Sequence, residues 1–210
     1  MKRLVVPAAV FAVLALAACG DDSDMNGMDH GSSATSSAPA SATASPSVST
    51  EHNAADVTFA KDMIVHHRQA VEMAEMAATR AADADVKALA AKIEQAQQPE
   101  IDTMSGWLTA WGETVPDAKA GMDHGGMGSS STPMPGGMTD AQMGQLHEAS
   151  GAAFDKMFLA MMIEHHEGAI TMAGTEQQSG ENSQAKQLAG TIVTDQTAEI
   201  TTMRSLLQKG

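Results

Sequence analysis

The chain has 210 residues, with 12 Lys+Arg against 26 Asp+Glu, a single cysteine, no tyrosine, 8 histidines and 17 methionines. That length admits one domain of ordinary size or two small ones, and one cysteine excludes an internal disulfide framework, a Cys-type zinc finger and a protein-held iron–sulfur cluster. A net charge of -14 leaves no basic stripe to displace counterions, which argues against nucleic acid as a partner. Methionine is the anomaly, because core packing alone seldom asks for so much of a flexible thioether.

Met1-Lys2-Arg3 is a short basic start, followed by an uncharged apolar run over residues 4–18. The run is too short to span a bilayer comfortably and reads as the core of a signal peptide. It ends Leu16-Ala17-Ala18-Cys19-Gly20, which resembles a bacterial lipoprotein lipobox. The resemblance implies cleavage before Cys19 and acylation of its sulfur, with two acyl chains sufficient for stable membrane attachment. Loss of residues 1–18 removes two positive charges and leaves a mature charge of -16. The expected location is the extracytoplasmic face of the cell membrane, on a lipid tether.

Residues 19–52 are mostly Ser, Ala, Thr, Gly and Pro and bury too little to offset the entropy of ordering, so they read as a flexible stalk. A second such stretch, residues 113–138, is a linker rich in Gly, Met and His. The foldable segments, residues 53–112 and 139–210, are copies of each other. A shift of 99 residues aligns 59–111 with 158–210 without a gap. Phe59, Met63, Ile64, His66, His67, Ala70, Met73 and Ala74 recur as Phe158, Met162, Ile163, His165, His166, Ala169, Met172 and Ala173. Further on, Gln97, Glu100, Ile101 and Met104 recur as Gln196, Glu199, Ile200 and Met203. This is an internal duplication.

Each copy predicts two helices, built from Ala, Met, Leu, Glu, Gln and Lys. The first spans residues 53–80, and its second-copy counterpart runs from a Thr139/Asp140 cap to residue 178. Asp83 caps a helix reaching residue 111, and Asn182 occupies the matching place. Pro99 lies inside that helix opposite Ala198, which predicts a kink or a restart near Gln98. Two duplicated hairpins bury their seams most economically against each other, so the expected fold is all-α: one domain, a four-helix bundle.

At about 100° per residue, Met63, His66, Ala70, Met73 and Ala77 share the face of Phe59, with His67, Ile64 and Ala74 on the adjoining arc. The second copy repeats the pattern with Phe158, Met162, His165, Ala169 and Met172, and His166 beside them. Both histidines of each pair therefore lean inward. Burying four imidazoles without partners costs on the order of several kcal/mol in total. Two remedies are open: metal ligation, or hydrogen bonds to Gln97, Glu100, Gln196 and Glu199, which would make the layer a device for setting the bundle's register.

The strings Phe59-Ala-Lys-Asp-Met-Ile-Val-His-His and Phe158-Leu-Ala-Met-Met-Ile-Glu-His-His resemble the doubled Met-Ile-x-His-His pattern of the domain-of-unknown-function 305 family. Gln97-x-x-Glu-Ile-x-x-Met104-x-x-Trp-Leu108 also resembles that family's second-helix pattern, while the second copy lacks a counterpart to Trp107. The likeness covers residues 53–210. It implies a ferritin-like four-helix fold, an extracytoplasmic location and, for members with an assigned role, copper or silver binding and resistance.

Thioethers are soft and neutral and select Cu(I) or Ag(I), whereas imidazole accepts copper in either state as well as Zn and Ni. The expected metal set is therefore His66, His67, His165 and His166 with Met63, Met73, Met162 and Met172, holding Cu(I) by preference and Cu(II) as an alternative. The polar stretches repeat the theme in Met25-Asn-Gly-Met28-Asp-His30 and in Met122-Asp-His124-Gly-Gly-Met127, where nothing is buried and core packing explains no methionine. These are expected to act as secondary metal-capture arms. Di-iron chemistry would need Glu-x-x-His on two helices, and no Glu in the chain precedes a His by three residues. With the one cysteine committed to lipidation and no Gly-x-Ser-x-Gly string, no catalytic residue is assigned and a binding protein is expected rather than an enzyme. Its expected partners are metal ions, the membrane through Cys19 and, as a candidate, an envelope copper-transport or oxidase protein. The competing reading is a structural or interaction bundle of the cell envelope whose histidines organise the core.

Overall fold

The computed structural model describes residues 49–117 and 134–209. The described residues form five helices: α1 (Ala54–Arg80), α2 (Ala84–Ala110), α3 (Asp140–Glu148), α4 (Gly151–Ser179) and α5 (Ser183–Lys209). The four long ones make an all-α bundle of two hairpins, α1–α2 and α4–α5, which meet chiefly through α1 and α4. Among the described residues, no helix is long and apolar enough to cross a membrane. Residues 19–48 of the expected stalk, with Cys19, and both metal-capture arms (Met25, Met28 and His30; Met122, His124 and Met127) lie outside the described residues. The end of that stalk, residues 49–52, is instead held on the bundle: the Ser49 carbonyl accepts from Trp111 Nε1 at 2.9 Å, the Glu51 carbonyl accepts from the Asn182 side chain at 2.7 Å, and His52 stacks on Trp111.

Local signals set the helix starts. Asn53 closes a capping box with Asp56 at the head of α1, and Asp83 accepts the Asp85 amide at the head of α2. The Asn182 side chain accepts the Gln184 and Ala185 amides, each at 3.0 Å, and caps α5. Asp83 and Asn182 are the cap positions the sequence predicts for the second helices, and the first helix starts where expected. Of the two outcomes expected at Pro99, the restart does not occur: α2 runs through it.

The predicted single helix over residues 139–178 is instead two. Thr139 caps α3 in a capping box with Gln142, α3 ends at Glu148, and α4 begins at Gly151. Gly151 sits at φ +63° and pairs with Ala81 in an isolated parallel bridge. A left-handed backbone conformation is open to glycine at little cost, so the chain breaks and turns there although its neighbours are good helix formers.

Duplicated aspartates lock the two hairpins together. Asp56 on α1 accepts the amides of Glu181 at 3.1 Å and Asn182 at 2.9 Å, in the turn of the other hairpin. Its counterpart Asp155 on α4 accepts the amides of Ala82 and Asp83, both at 3.0 Å, in the turn of the first. Each hairpin thus satisfies the orphan amides at the head of the other's second helix.

The apolar core falls into two clusters. One gathers Ala70, Met73, Ala77, Val86, Ile93, Phe154, Phe158, Met162 and Met203. The other gathers Phe59, Met63, Ile64, Ile101, Met104, Leu108, Ala169, Ala173 and Ile192. On every long helix the boundary between them falls at the same level: between Ile64 and Ala70, between Ile93 and Ile101, between Met162 and Ala169, and between Ile192 and Ile200. The histidine pairs occupy that boundary.

Candidate metal centre

Four helices each bring polar residues to the middle of the bundle. α1 contributes His66 and His67, α4 contributes His165 and His166, α2 contributes Gln97 and Glu100, and α5 contributes Gln196 and Glu199. The helical seam predicted from spacing brings the imidazoles inward: none of the four is more than 1% exposed. The rings of His66 and His165 lie in contact across the α1–α4 interface, with centroids 3.6 Å apart and planes tilted by 34°. The His165 and His166 centroids are 6.4 Å apart. The two pairs therefore form one layer, a point that spacing alone leaves open.

Hydrogen bonding divides the rings. His67 Nε2 lies 2.6 Å from a Glu100 carboxylate oxygen, and His166 Nε2 lies 2.7 Å from Glu199. His66 Nε2 reaches the Pro135 carbonyl oxygen at 3.1 Å. Neither nitrogen of His165 makes a hydrogen bond of good geometry, although the His66 backbone lies nearby. Every Nδ1 of the four rings is buried and unpartnered, as are both amide atoms of Gln97 and the Gln196 oxygen. Ten buried side-chain nitrogens and oxygens lack a partner among the described residues, and eight of them belong to this layer. Native interiors leave few polar atoms unsatisfied, and each costs about 1–3 kcal/mol.

Burial dominates the charge state. It depresses the His66 imidazole to about 3, with further lowering by the neighbouring His67 and His166 against a weak pull upward from the Pro135 carbonyl. It likewise holds His165 well below the ordinary range, helped by His66 and the other two rings. Both inner rings are neutral near pH 7, so each keeps a lone pair.

Of the predicted thioethers, Met63, Met73 and Met162 are fully buried, while Met172 is only half-buried. Met63 and Met172 pack with one apolar cluster and Met73 and Met162 with the other, so the clusters on both sides of the histidine layer contain methionine. Met104 and Met203, one turn beyond Glu100 and Glu199, are equally buried. As the rings stand, no group of three or more His, Cys, Asp or Glu side chains among the described residues is arranged around a common point. The two inner rings lie in direct contact, so a shared ion would have to part them. The donor set itself, buried imidazoles with thioethers in the clusters on either side, fits Cu(I) or Ag(I).

A strap over the layer was not foreseen in the sequence. Residues 134–138 cross the α1–α4 interface, with Pro135 on His66 and the Met138 backbone held by Gln69 through two bonds of 2.7 and 2.9 Å. Gly168 makes room for it, because a Cβ there would collide with the Pro135 carbonyl, and a Cβ on Gly136 would lie 2.6 Å from the Glu164 carbonyl oxygen. Gln69 and Gly168 are the same position in the two copies. That break in an otherwise similar repeat was the available signal.

Fold and site together define a duplicated helical-hairpin bundle with a buried imidazole layer at its middle. The chain belongs to the DUF305 family, a domain of unknown function whose model matches residues 56–207. It is similar to a DUF305 protein of Streptomyces coelicolor named as secreted, at 35% identity over 74% of this chain and 93% of that one, TM-score 0.64. A DUF305 fragment from Deinococcus radiodurans is 26% identical over 75% of this chain and 98% of that one, TM-score 0.65. CopM in its Cu(II)-bound form is 30% identical over 73% of this chain and 96% of that one, TM-score 0.61. CopM is also similar in Cu(I)-bound and silver-bound forms. No curated protein matches the chain.

Proposed function

We propose that the protein sequesters or chaperones copper, or silver, on the extracytoplasmic side of the membrane without catalytic turnover. His66, His67, His165 and His166 are the nitrogen donors, and Met63, Met73, Met162 and Met172 are the thioether donors. Met25, Met28, His30, Met122, His124 and Met127 serve as capture arms, and a diacylated Cys19 tethers the chain. The observation that carries this reading is the concentration of unpartnered buried donor atoms at one level of the bundle. A lone pair kept dry without a partner is costly, and a soft cation gives it one. Similarity to CopM, which binds Cu(I), Cu(II) and silver, supports the choice of metal.

A second reading, an envelope interaction module whose histidines set the register, has the His67–Glu100 and His166–Glu199 pairs in its favour. Titration of the protein with Cu(I) under reducing conditions separates the two, repeated with all four histidines changed to Ala and with circular dichroism reporting that the bundle persists. Loss of tight uptake in the variant supports the bundle site. Unaltered uptake moves the site to the arms, and no uptake by the parent favours the interaction module.

A further inference from the structure

Two carboxylates occupy duplicated positions around the layer and make the same contact. Glu100 and Glu199 each stand 33 residues beyond the histidine they hold, at 2.6 and 2.7 Å, and each is partly exposed on its outer side, at 17% and 20% of its side chain. The imidazoles they hold are fully buried. At such distances a carboxylate oxygen can only accept, so Nε2 of His67 and His166 must carry the hydrogen whatever the ring's charge. The remaining nitrogen, Nδ1, points away from the carboxylate because the two ring nitrogens lie on opposite edges. In both rings Nδ1 is buried without a partner.

We infer that Glu100 and Glu199 are positioning residues that fix His67 and His166 as Nδ1 donors toward a soft metal ion. This rests on the metal-binding reading above and deepens it by naming the donor atom and what selects it. A ligating imidazole commonly donates its other N–H to a carboxylate or carbonyl, which orients the ring and raises its basicity. The Pro135 carbonyl gives His66 the same Nε2–H arrangement, so three of the four rings are set alike. His165, unpartnered at both nitrogens and in tilted contact with His66, is the ring left to turn. The layer thus holds two outer donors on fixed carboxylates and one inner ring, His66, on a carbonyl, with the fourth adjustable around whatever ion enters.

The test is nitrogen NMR of the histidine rings in the full 15N-labelled protein, first metal-free and then with one equivalent of Ag(I), a diamagnetic probe. The expected metal-free spectrum shows Nε2 protonated in both His67 and His166; an unprotonated Nε2 in either ring overturns the inference before any metal is added. With silver, the expected perturbation falls on Nδ1 of both rings. Silver on Nε2 with Glu100 or Glu199 released also overturns the inference, yet leaves metal binding by the bundle intact. Silver that perturbs none of the four rings defeats the metal reading itself. Glu100→Ala and Glu199→Ala should each weaken silver binding about 10- to 100-fold. Glu100→Gln, whose amide oxygen still accepts from Nε2, should recover most of that loss. Equal weakening by Ala and Gln, with the ring tautomers unchanged in both, would show that the carboxylates do not position the rings.

Discussion

His66 and His165, 99 residues apart in a duplicated chain, meet ring against ring at 3.6 Å where α1 crosses α4, yet only His66 has a partner. The duplication places both rings on the same seam of their helices. The strap at residues 134–138 breaks the symmetry by offering a carbonyl to one and not the other. The result is a contact between equivalent residues in unequal environments.

That inequality predicts opposite responses to the same kind of substitution. His165→Leu removes two unpartnered polar atoms and should leave the metal-free bundle unchanged or more stable by about 1–2 kcal/mol. His67→Leu strips Glu100 of its partner and should cost about 1–3 kcal/mol. Urea unfolding of the metal-free proteins reads both. Equal destabilisation by the two variants would show that the layer is not polarised as described.

The strap should respond as a unit. Gln69→Ala removes two hydrogen bonds to Met138, and Gly168→Ala drives a methyl group into Pro135. Each should speed hydrogen exchange at the Met138 amide, which donates to Gln69, while most other core amides keep their protection. Because both act on one segment, the double variant should fall short of the sum of the singles. Additive effects would mean the two residues act separately.

Stability should peak near pH 6.5. His66 is held to about 3 against an ordinary 6.5, so between those values the unfolded chain binds a proton the folded one refuses, and stability falls as pH drops through that window. Glu176 runs the other way. Burial, with contact to Asp56, raises it to about 8 from an ordinary 4.5, so the folded state keeps a proton the unfolded chain loses, and stability falls as pH rises from 4.5 to 8. His165, depressed in the same sense as His66, makes the acid limb the steeper of the two. Glu176→Gln should flatten the decline between pH 6.5 and 8 and leave the acid limb in place. Thermal denaturation across pH 4 to 9 checks it, and an unchanged alkaline limb in the variant would remove Glu176 from the account.

Metal binding at the layer, unlike binding on the arms, should stabilise the fold. At a free Ag(I) concentration about 100 times the dissociation constant, an ion that binds only the folded state adds about 2.7 kcal/mol. For a chain of this size that raises Tm by about 5–10 °C, and a chelator should reverse it. Silver uptake with no change in Tm would place the bound ion outside the bundle.

Much of this is legible in the sequence. The offset of 99, the caps at Asp83, Thr139 and Asn182, and the inward lean of both histidine pairs come from composition and period, because helix start signals and the 3.6-residue repeat are written locally. The break before α4 was missed because Ser150-Gly151 sits among good helix formers, and only the bridge to Ala81 shows why the chain turns there. Glu100 and Glu199 could be named as partners, but not chosen over Gln97 and Gln196. The strap over His66 was not foreseen at all.

By itself, then, the sequence determined two amphipathic hairpins with paired imidazoles and thioethers on their buried stripes. Tertiary structure alone decided that the pairs meet in a single layer, which nitrogen of each ring is engaged, and which ring is left without a partner. The reason is physical. Helical period reports which face of a helix avoids water, but a ring's partner belongs to a different helix, and its identity depends on how far the hairpins slide and cross before their cores close.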